Sequence, residues 1–356
     1  MPNAAVQVRR IGCQARDAQT QDAYVLAHPM GTVFHRPHWL RAVQSAYGHA
    51  DASLAAWRGE KLCGLLPMME VKSVFVGKVL VSIPYATYGG IIADDDQAAV
   101  ALAVEARAML GRQGGNYLEL RHREMRPLDL PVISRYDTFR KMLPAQASEV
   151  LPQLPRKARA AARNGLDDLG EDCARMGFAR TGGDLLADVY RLYAMTLRRL
   201  GSPNYSLTLF RRLAAEYGDD CVCLVVYRKR RPIAGVVSFV FRDEIVPYFS
   251  GSTDQGQRLN ANNVMYLRLM EYAVGRGIKW FDFNRTRRDN HGPYDFKRHQ
   301  GFEPSPLHYQ IALAAGAAMP NLTPSNRKFA LAGRIWRRLP LPLTRCAGAV
   351  LSRWIP

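Results

Sequence analysis

A long internal repeat is the feature of this sequence that most constrains its fold. A segment that begins at Trp39 reads as a short helix ending at Gly48, followed by two apolar runs around a turn at Gly59. About 170 residues later the chain runs from Phe210 to Gly218, and two apolar runs around a basic turn follow. Each copy therefore predicts a helix and then a β-hairpin, because β-rich runs joined by a short polar turn are typical of hairpins.

The two copies stay similar beyond the hairpin. Pro84–Gly90 and Pro247–Gly251 each read as the end of a third strand, and apolar residues at helical spacing follow both. Each predicted helix stops at glycines, and strand-like runs follow at Tyr117–Arg121 and Trp280–Arg285. This order predicts an α/β (α+β) chain of two tandem domains, each a mixed, mostly antiparallel sheet flanked by helices. Chance similarity is the alternative, but six elements in the same order favour duplication.

Pro-rich and basic segments suggest where the domains divide. A break at Leu151–Pro155 precedes Arg156–Gly165, which reads as a basic, Ala-rich helix that ends at Gly165. We therefore predict an N-terminal domain over 1–148, a C-terminal domain over 149–312 and a basic amphipathic tail over 313–356.

Amino-acid composition and charge indicate which cellular compartment and which kinds of partner to expect. The six cysteines form no CxxC pair and no zinc spacing, which favours reduced thiols and predicts no metal site. No signal peptide and no run of about 18 apolar residues is evident, so a cytoplasmic protein is expected. The formal net charge of +18 favours polyanionic partners, namely tRNA, the phosphates of coenzyme A or an anionic membrane surface. A generally basic protein without such a partner is the alternative.

The most specific pattern lies between residues 280 and 309. Phe281–Arg285 is followed by Tyr294–Pro304, which reads YDFKRHQGFEP, and by Leu307–Tyr309. This pattern resembles the late motif of FemAB-like proteins of the GNAT acyltransferase superfamily, and more narrowly the FemAB-related proteins associated with exosortase/PEP-CTERM exopolysaccharide systems. The basic helix and the basic tail are similar to that subgroup as well. The resemblance is diffuse in the first half of the chain.

The resemblance implies tandem GNAT-like domains and an N-acyltransferase that moves an acyl or aminoacyl group onto an amine. It implies no permanently bound cofactor, with acyl-CoA or aminoacyl-tRNA as the co-substrate. A glycan or a lipid-linked precursor would be the acceptor, in surface-polysaccharide or cell-envelope biosynthesis. A catalytically degenerate scaffold of polymer assembly is the alternative. A nucleic-acid-binding protein is a further one, although no recognised nucleic-acid-binding motif is present.

Lys297 is the leading catalytic candidate. In the family that the sequence resembles, the lysine of the Phe–Lys pair, here Phe296 and Lys297, faces the reacting carbonyl. An ammonium there would stabilise the oxyanion by about 3 kcal/mol if it acts like one oxyanion-hole donor. Arg298 can pair with a phosphate, because a guanidinium suits a bidentate anion. Solvated cations are the alternative for both side chains.

The group that removes a proton from the amine is less specified. Asp282 and Glu303 are the catalytic candidates, with Asp295 and His299 in the same region. None of the four has a spacing that selects it, and water can also accept the proton.

Donor binding is predicted for three groups of residues. They are Tyr294, Phe296, Asn284 and Arg285 beside the motif, Gly251, Ser252, Arg258, Asn262 and Asn263 in the loop before the second-copy helix, and Arg156, Lys157 and Arg159 on the basic helix. Asn262 or Asn263 can cap the helix and leave backbone N–H groups for a phosphate. The basic helix suits tRNA through its charge. A plain strand-to-helix loop and a solvated helix face are the alternatives.

The tail mixes basic and aromatic residues, and no acidic residue occurs from Pro304 to Pro356. The residues are Arg327, Lys328, Arg334, Arg337, Arg338, Arg345 and Arg353, interleaved with Phe329, Trp336 and Trp354. This pattern predicts a peripheral contact with the anionic surface of the inner membrane. The alternative is a tail that folds over the second domain.

Overall fold

The structure is a computed structural model that describes residues 5–179, 183–317 and 327–355, without the side chains of residues 15–16 and 327–330. Its helices are α1 (Ala15–Ala27), α2 (Pro37–Tyr47), α3 (Asp96–Arg112), α4 (Val150–Gln153), α5 (Arg156–Leu169), α6 (Gly183–Leu200), α7 (Leu207–Tyr217), α8 (Asp254–Arg258), α9 (Ala261–Gly275), α10 (His291–His299), α11 (Arg327–Arg338) and α12 (Leu341–Leu351).

Among the described residues, nine strands precede residue 134 and nine more follow. They are β1 (Gln7–Arg10), β2 (Ala50–Asp51), β3 (Leu54–Arg58), β4 (Lys61–Leu66), β5 (Met69–Ser73), β6 (Gly77–Val81), β7 (Ile92–Ala93), β8 (Tyr117–His122), β9 (Val132–Ile133), β10 (Tyr136–Met142), β11 (Ala174–Phe178), β12 (Cys221–Arg228), β13 (Arg231–Phe241), β14 (Glu244–Ser252), β15 (Trp280–Asp282), β16 (Thr286–Arg287), β17 (Pro304–Pro306) and β18 (His308–Leu313).

The chain divides into two compact units that are not contiguous in sequence. The first contains residues 1–135, 306–322 and 351–356, and the second contains residues 136–305 and 323–350. This division differs from the predicted domains 1–148 and 149–312 and from a separate tail. The reason is long-range strand pairing: β10 pairs with β15 in the second unit, and β18 pairs with β8 in the first.

The described residues of the first unit form two sheets. One has the strand order β1-β3-β4-β7, and the other has the order β2-β5-β6-β8-β18-β9, in which β6 and β8 are parallel. The side chain of Asp95 accepts a hydrogen bond from the Ala98 N–H and caps α3. The buried face of α3, with Leu102 and Ala106, packs into a core with Leu54 and other apolar strand residues.

The second unit has one large sheet with the order β11-β12-β13-β14-β15-β10-β16. Cys221–Val226 is a continuous buried run in β12, which is expected of a strand covered on both faces. On one face Gly235 and Gly251 lie against α6, where a Cβ at Gly251 would stand 2.3 Å from the Leu192 carbonyl oxygen. The core on the other face includes residues of α5 and α9 together with Val236.

The repeat predicted from sequence is present in both units. In the first unit α2 precedes the antiparallel hairpin of β3 and β4, and β6 later pairs in parallel with β8, the strand after α3. In the second unit α7 precedes the hairpin of β12 and β13, and β14 pairs in parallel with β15, the strand after α9. The predicted fold class, an α/β chain with one arrangement of helices and sheet used twice, is therefore confirmed. Pro84–Gly90 was predicted to end a strand, but β6 ends earlier, at Val81.

Two helix boundaries in the second unit differ from prediction. Helix α5 does not end at Gly165 but continues to Leu169, and Gly170 follows with φ of 86°. Gly165 is instead buried against α9, where a Cβ would lie 2.6 Å from the Val264 side chain. Gly165 therefore allows close approach of two helices rather than stopping one. Residue Asn260, with φ of 52°, is the N-cap of α9, so the cap is neither of the two later asparagines.

The described part of the tail is helical. Helices α11 and α12 pack within the second unit, and residues 351–355 belong to the first. Residues 318–326 lie outside the described residues, as do the side chains of Arg327, Lys328 and Phe329.

Candidate active site

Lys297 lies on α10 and points its ammonium at the end of β15. Its Nζ donates hydrogen bonds to the carbonyl oxygens of Phe283 at 2.6 Å and Asn284 at 2.8 Å, and a longer one to that of Arg285 at 3.5 Å. Nζ also stands 5.2 Å from the centre of the Phe139 ring. Burial lowers the pKa of Lys297 to about 7, an effect that the Asp282 carboxylate opposes.

The strand end beneath Lys297 is shaped by the parting of two parallel strands. Strands β14 and β15 pair only at Glu244 with Trp280 and at Ile245 with Phe281. Beyond these pairs β14 continues to Ser252, whereas β15 ends at Asp282.

Asn284 spans the opening between the two strands. It has φ of 62°, a left-handed conformation that asparagine tolerates better than most residues. Its Nδ2 donates to the Pro247 carbonyl oxygen at 2.8 Å. The residue is buried, and its Oδ1 has no hydrogen-bond partner among the described residues. A buried acceptor without a donor is costly in a folded protein, so this atom is a candidate contact for a ligand N–H.

Asp282 is buried and bound to neighbouring groups. Its Oδ1 accepts from the Thr138 hydroxyl at 3.1 Å and from the Asn284 N–H at 2.8 Å. The carboxylate is therefore placed to hold the strand end and to attract the Lys297 ammonium.

A second carboxylate, Asp137 of β10, holds α10 against the sheet. Its two oxygens accept from the Tyr294 hydroxyl at 2.7 Å and from the Arg288 guanidinium at 2.8 Å. Desolvation and the bond to Asp137 raise the pKa of Tyr294. The predicted donor-binding residue Tyr294 therefore anchors the helix that carries Lys297.

Tyr266 of α9 connects the strand end with the loop after β14. Its ring centre lies 4.7 Å from that of Phe283 and 5.7 Å from that of Phe296. Its hydroxyl is hydrogen-bonded to the Ser250 side chain, and burial raises its pKa. The aromatic ring thus fills the space between β15, α9 and α10.

The loop after β14 is more ordered than a plain connection. Gly251 and Ser252 are the last residues of β14 and are buried, and the loop that follows them contains the short helix α8. The Thr253 hydroxyl caps α8 by accepting a hydrogen bond from the Gly256 N–H at 2.9 Å. Asn262 lies in the first turn of α9 and reaches the Ser252 hydroxyl at 3.4 Å.

The side chains of the other predicted residues take no part in the contacts described above. Arg258, Arg298 and Glu303 are exposed, and so are Arg156 and Lys157. The remaining predicted residues are placed as follows: Arg159 donates to the Pro152 carbonyl oxygen at 2.8 Å, the Arg285 guanidinium lies 4.7 Å from the Tyr136 ring, and Asn263 is partly buried in the first turn of α9.

Sequence reasoning missed Asp137, Thr138 and Tyr266. The first two lie about 145–160 residues before their partners, so no local pattern reveals them. Tyr266 is only partly buried on α9, where it packs against the core of the second unit, and it lies outside the motif at residues 280–309 on which the sequence prediction depended.

Comparison with known proteins agrees with this architecture. Residues 156–298 match the model of the acetyltransferase (GNAT) domain, a range that includes the β14–β15 opening and Lys297. No curated protein matches the chain. The chain is therefore an acyltransferase by its domain, with the donor unspecified.

Solved structures resemble the whole chain at low sequence identity. FemX aligns with a TM-score of 0.60 and 13% identity, over 86% of this chain and 97% of that one. L-PGS from Bacillus licheniformis aligns with a TM-score of 0.55 and 13% identity, over 93% and 100%. A tandem GNAT protein from the clavulanic acid biosynthesis pathway aligns with a TM-score of 0.50 and 10% identity, over 88% and 100%. At such identities the similarity bears on the fold alone.

Two further observations concern the described residues. Among the residues described, no three His, Cys, Asp or Glu side chains are grouped so that they could hold a metal ion. In the same residues, no helix combines the length and apolarity that crossing a bilayer requires.

Proposed function

We propose that this protein transfers an acyl or aminoacyl group to an amine at the opening between β14 and β15. The observation that carries the proposal is the arrangement of Lys297 and Asn284 there. The half-buried Lys297, whose ammonium is bound to backbone carbonyl oxygens, lies at the end of a strand that its parallel neighbour has left. Beside it is the buried amide oxygen of Asn284, which has no hydrogen-bond partner among the described residues.

The reaction needs a nucleophilic amine, an acyl donor and relief of the charge that develops on oxygen. The amine nitrogen forms a bond to the acyl carbon, and the carbonyl electrons move onto oxygen. When the carbonyl re-forms, the bond to the leaving sulfur or oxygen breaks. The proton lost by the amine passes to a base or to water, and the leaving group takes up a proton.

Lys297 is proposed to stabilise the oxyanion. Two of its N–H groups are held firmly by the carbonyl oxygens of Phe283 and Asn284. The third contact, with the Arg285 oxygen, is long at 3.5 Å, so this N–H can turn to a ligand at little cost. One oriented donor in a water-poor site contributes about 100- to 1000-fold in rate.

The proton acceptor follows less directly. Asp282 faces the Lys297 ammonium and is already bonded to Thr138 and to a backbone N–H, so its proposed contribution is to keep Lys297 charged. Glu303 is exposed, and as a base it would have to act through water. Bulk water as the acceptor is the simpler proposal, because it needs no rearrangement.

The donor proposed first is acyl-CoA, which GNAT domains typically use. The N-terminus of α9, with Arg258 exposed beside it, suits the phosphates of such a donor through its free N–H groups. Asn284 Oδ1 would accept an N–H of the donor. Aminoacyl-tRNA is retained as the competing donor, with Arg156, Lys157 and Arg298 as exposed cations for its backbone.

The cellular setting is proposed from the sequence resemblance. We propose an acceptor on a surface glycan or a lipid-linked precursor, in a cytoplasmic protein that contacts the inner membrane peripherally. The exosortase/PEP-CTERM association rests on the same resemblance.

A donor screen tests the proposal. The purified protein is incubated with a panel of acyl-CoA thioesters, or with charged tRNAs, and a mixture of soluble primary amines and amino sugars. Mass spectrometry then follows the amide product. We expect amide formation with at least one donor class, with a loss of about 100-fold or more in Lys297→Met and little change in Lys279→Met, an exposed lysine of the same unit. If neither donor class gives an amide product, the result favours the scaffold alternative. The hydrogen bonds from Lys297 to backbone carbonyl oxygens would then have a structural role.

A further inference from the structure

The described part of the tail forms two helices that are fixed on their inner sides by small residues. A Cβ at Gly333 of α11 would lie 3.2 Å from the Gly201 carbonyl oxygen, and one at Gly348 of α12 would lie 2.5 Å from Asn204 Oδ1. The Arg198 guanidinium also donates to the Leu339 carbonyl oxygen at 2.6 Å. The two helices therefore dock closely on the region around the end of α6, and their orientation is determined.

The opposite sides of both helices expose apolar side chains, which on α11 are accompanied by arginines. This apolar outer face consists of Leu331 and Ile335 on α11 and Leu343, Cys346, Ala347 and Val350 on α12. The four α12 residues follow one another at intervals of three, one and three, which places them on one side of a helix. The four branched aliphatic residues are each more than half exposed.

Exposed positive charge accompanies this face on α11. Arg334, Arg337 and Arg338 of α11 are exposed, and the sequence has no acidic residue from Pro304 to Pro356. A symmetric second copy on the face would bring these arginines against their equivalents, which like-charge repulsion disfavours. An anionic bilayer offers both complements, because its headgroups attract the arginines and its acyl boundary accepts the aliphatic side chains.

We propose that the α11–α12 outer face docks the protein on an anionic lipid bilayer. The helices are folded against α6 before they meet the lipid, so binding does not require the ordering of an unfolded tail. The inference rests on the proposed function only for the choice of a lipid-linked acceptor, which docking would bring near the enzyme.

Vesicle co-sedimentation without any donor tests the inference. The full chain is mixed with vesicles of phosphatidylglycerol and phosphatidylcholine, or of phosphatidylcholine alone, at low and high salt. We expect binding to the anionic vesicles that weakens about 100-fold when Arg334, Arg337 and Arg338 are all changed to glutamine, since each cation near an anionic surface contributes about fivefold. High salt should weaken the binding as well.

A second pair of variants separates the apolar face from general charge. Ile335→Glu/Leu343→Glu should abolish the binding, whereas Met142→Glu, at an exposed apolar residue of β10 in the same unit, should retain it. Thermal unfolding checks that each variant is folded. Equal sedimentation of all variants with the vesicles would overturn the inference. It would also be overturned if the protein does not bind vesicles and light scattering shows a dimer that Leu343→Glu dissociates. Vesicle binding by a protein that transfers no acyl group would contradict the proposed function alone.

Discussion

Replacement of Lys297 by methionine removes the ammonium and keeps an unbranched side chain of similar length. In the folded protein, burial lowers the pKa of this lysine from its ordinary 10.5 to about 7. Between these two values the unfolded chain holds a proton that the folded protein does not. The free energy of unfolding of the unmodified protein therefore contains a lysine contribution that is unfavourable below pH 7 and is relieved as the pH rises.

The size of this effect follows from the shift. Each unit of difference between the folded and unfolded pKa corresponds to about 1.4 kcal/mol, so the contribution across the whole window is on the order of 5 kcal/mol. Between pH 7 and pH 9, where the folded lysine loses its remaining proton, the gain is about 2 kcal/mol.

Urea unfolding followed by tryptophan fluorescence measures this difference. The difference in unfolding free energy between the unmodified protein and Lys297→Met should change by about 2 kcal/mol from pH 7 to pH 9, because other titrating groups cancel in the comparison. Lys279→Met, which removes an exposed lysine, should show no such change. Parallel pH profiles for the unmodified protein and Lys297→Met would refute a buried lysine with a lowered pKa.

The same variant also leaves two carbonyl oxygens at the end of β15 without their donor. Each buried acceptor without a partner costs about 1–3 kcal/mol, so Lys297→Met is not expected to be more stable at alkaline pH. A variant more stable than the unmodified protein at pH 9 would indicate that the carbonyl contacts contribute little.

Two further predictions concern packing and acid stability. Gly251→Ala should destabilise the second unit by about 1–3 kcal/mol or more, because the new Cβ would stand 2.3 Å from the backbone of Leu192. Gly275→Ala is the control, since its Cβ would meet no atom within 4 Å. Equal chemical-denaturation midpoints for the two variants would contradict this packing. His35 donates through Nε2 to the Gly90 carbonyl oxygen at 3.1 Å, and burial lowers its pKa to about 3. Stability should therefore fall by about 1.4 kcal/mol per pH unit on acidification below pH 6.5 through this residue, and His35→Gln should flatten the decline; an unchanged acid slope would rule it out.

The elements and their repeated order were predictable because they depend on local sequence. The apolar stripe of α9, the hairpin of β12 and β13 and the stop after Gly275 are each encoded by neighbouring residues. Prediction failed where a residue serves a distant contact. Gly165 has the local appearance of a helix stop, yet the helix continues because the glycine is needed for contact with α9.

The candidate site shows the same limit. The motif drew attention to Lys297, Asp282 and Asn284, which the structure places together. It could not indicate what the Lys297 ammonium contacts, because the carbonyl oxygens that follow β15 meet this side chain only once α10 is packed on the sheet. Asp137 and Thr138 were missed because β10 reaches β15 across more than a hundred residues of chain.

The sequence by itself determined that one α/β unit is used twice and that the later copy carries a lysine beside an asparagine-containing strand end, since periodicity and turn residues act over short distances. Only the tertiary structure decided which strands complete each sheet, because a strand edge accepts any segment of suitable register. The pairing of β8 with β18 and of β15 with β10 depends on the packing of the whole chain. The buried environment that lowers the pKa of Lys297 arises at that level too, because desolvation requires side chains from elements far apart in sequence.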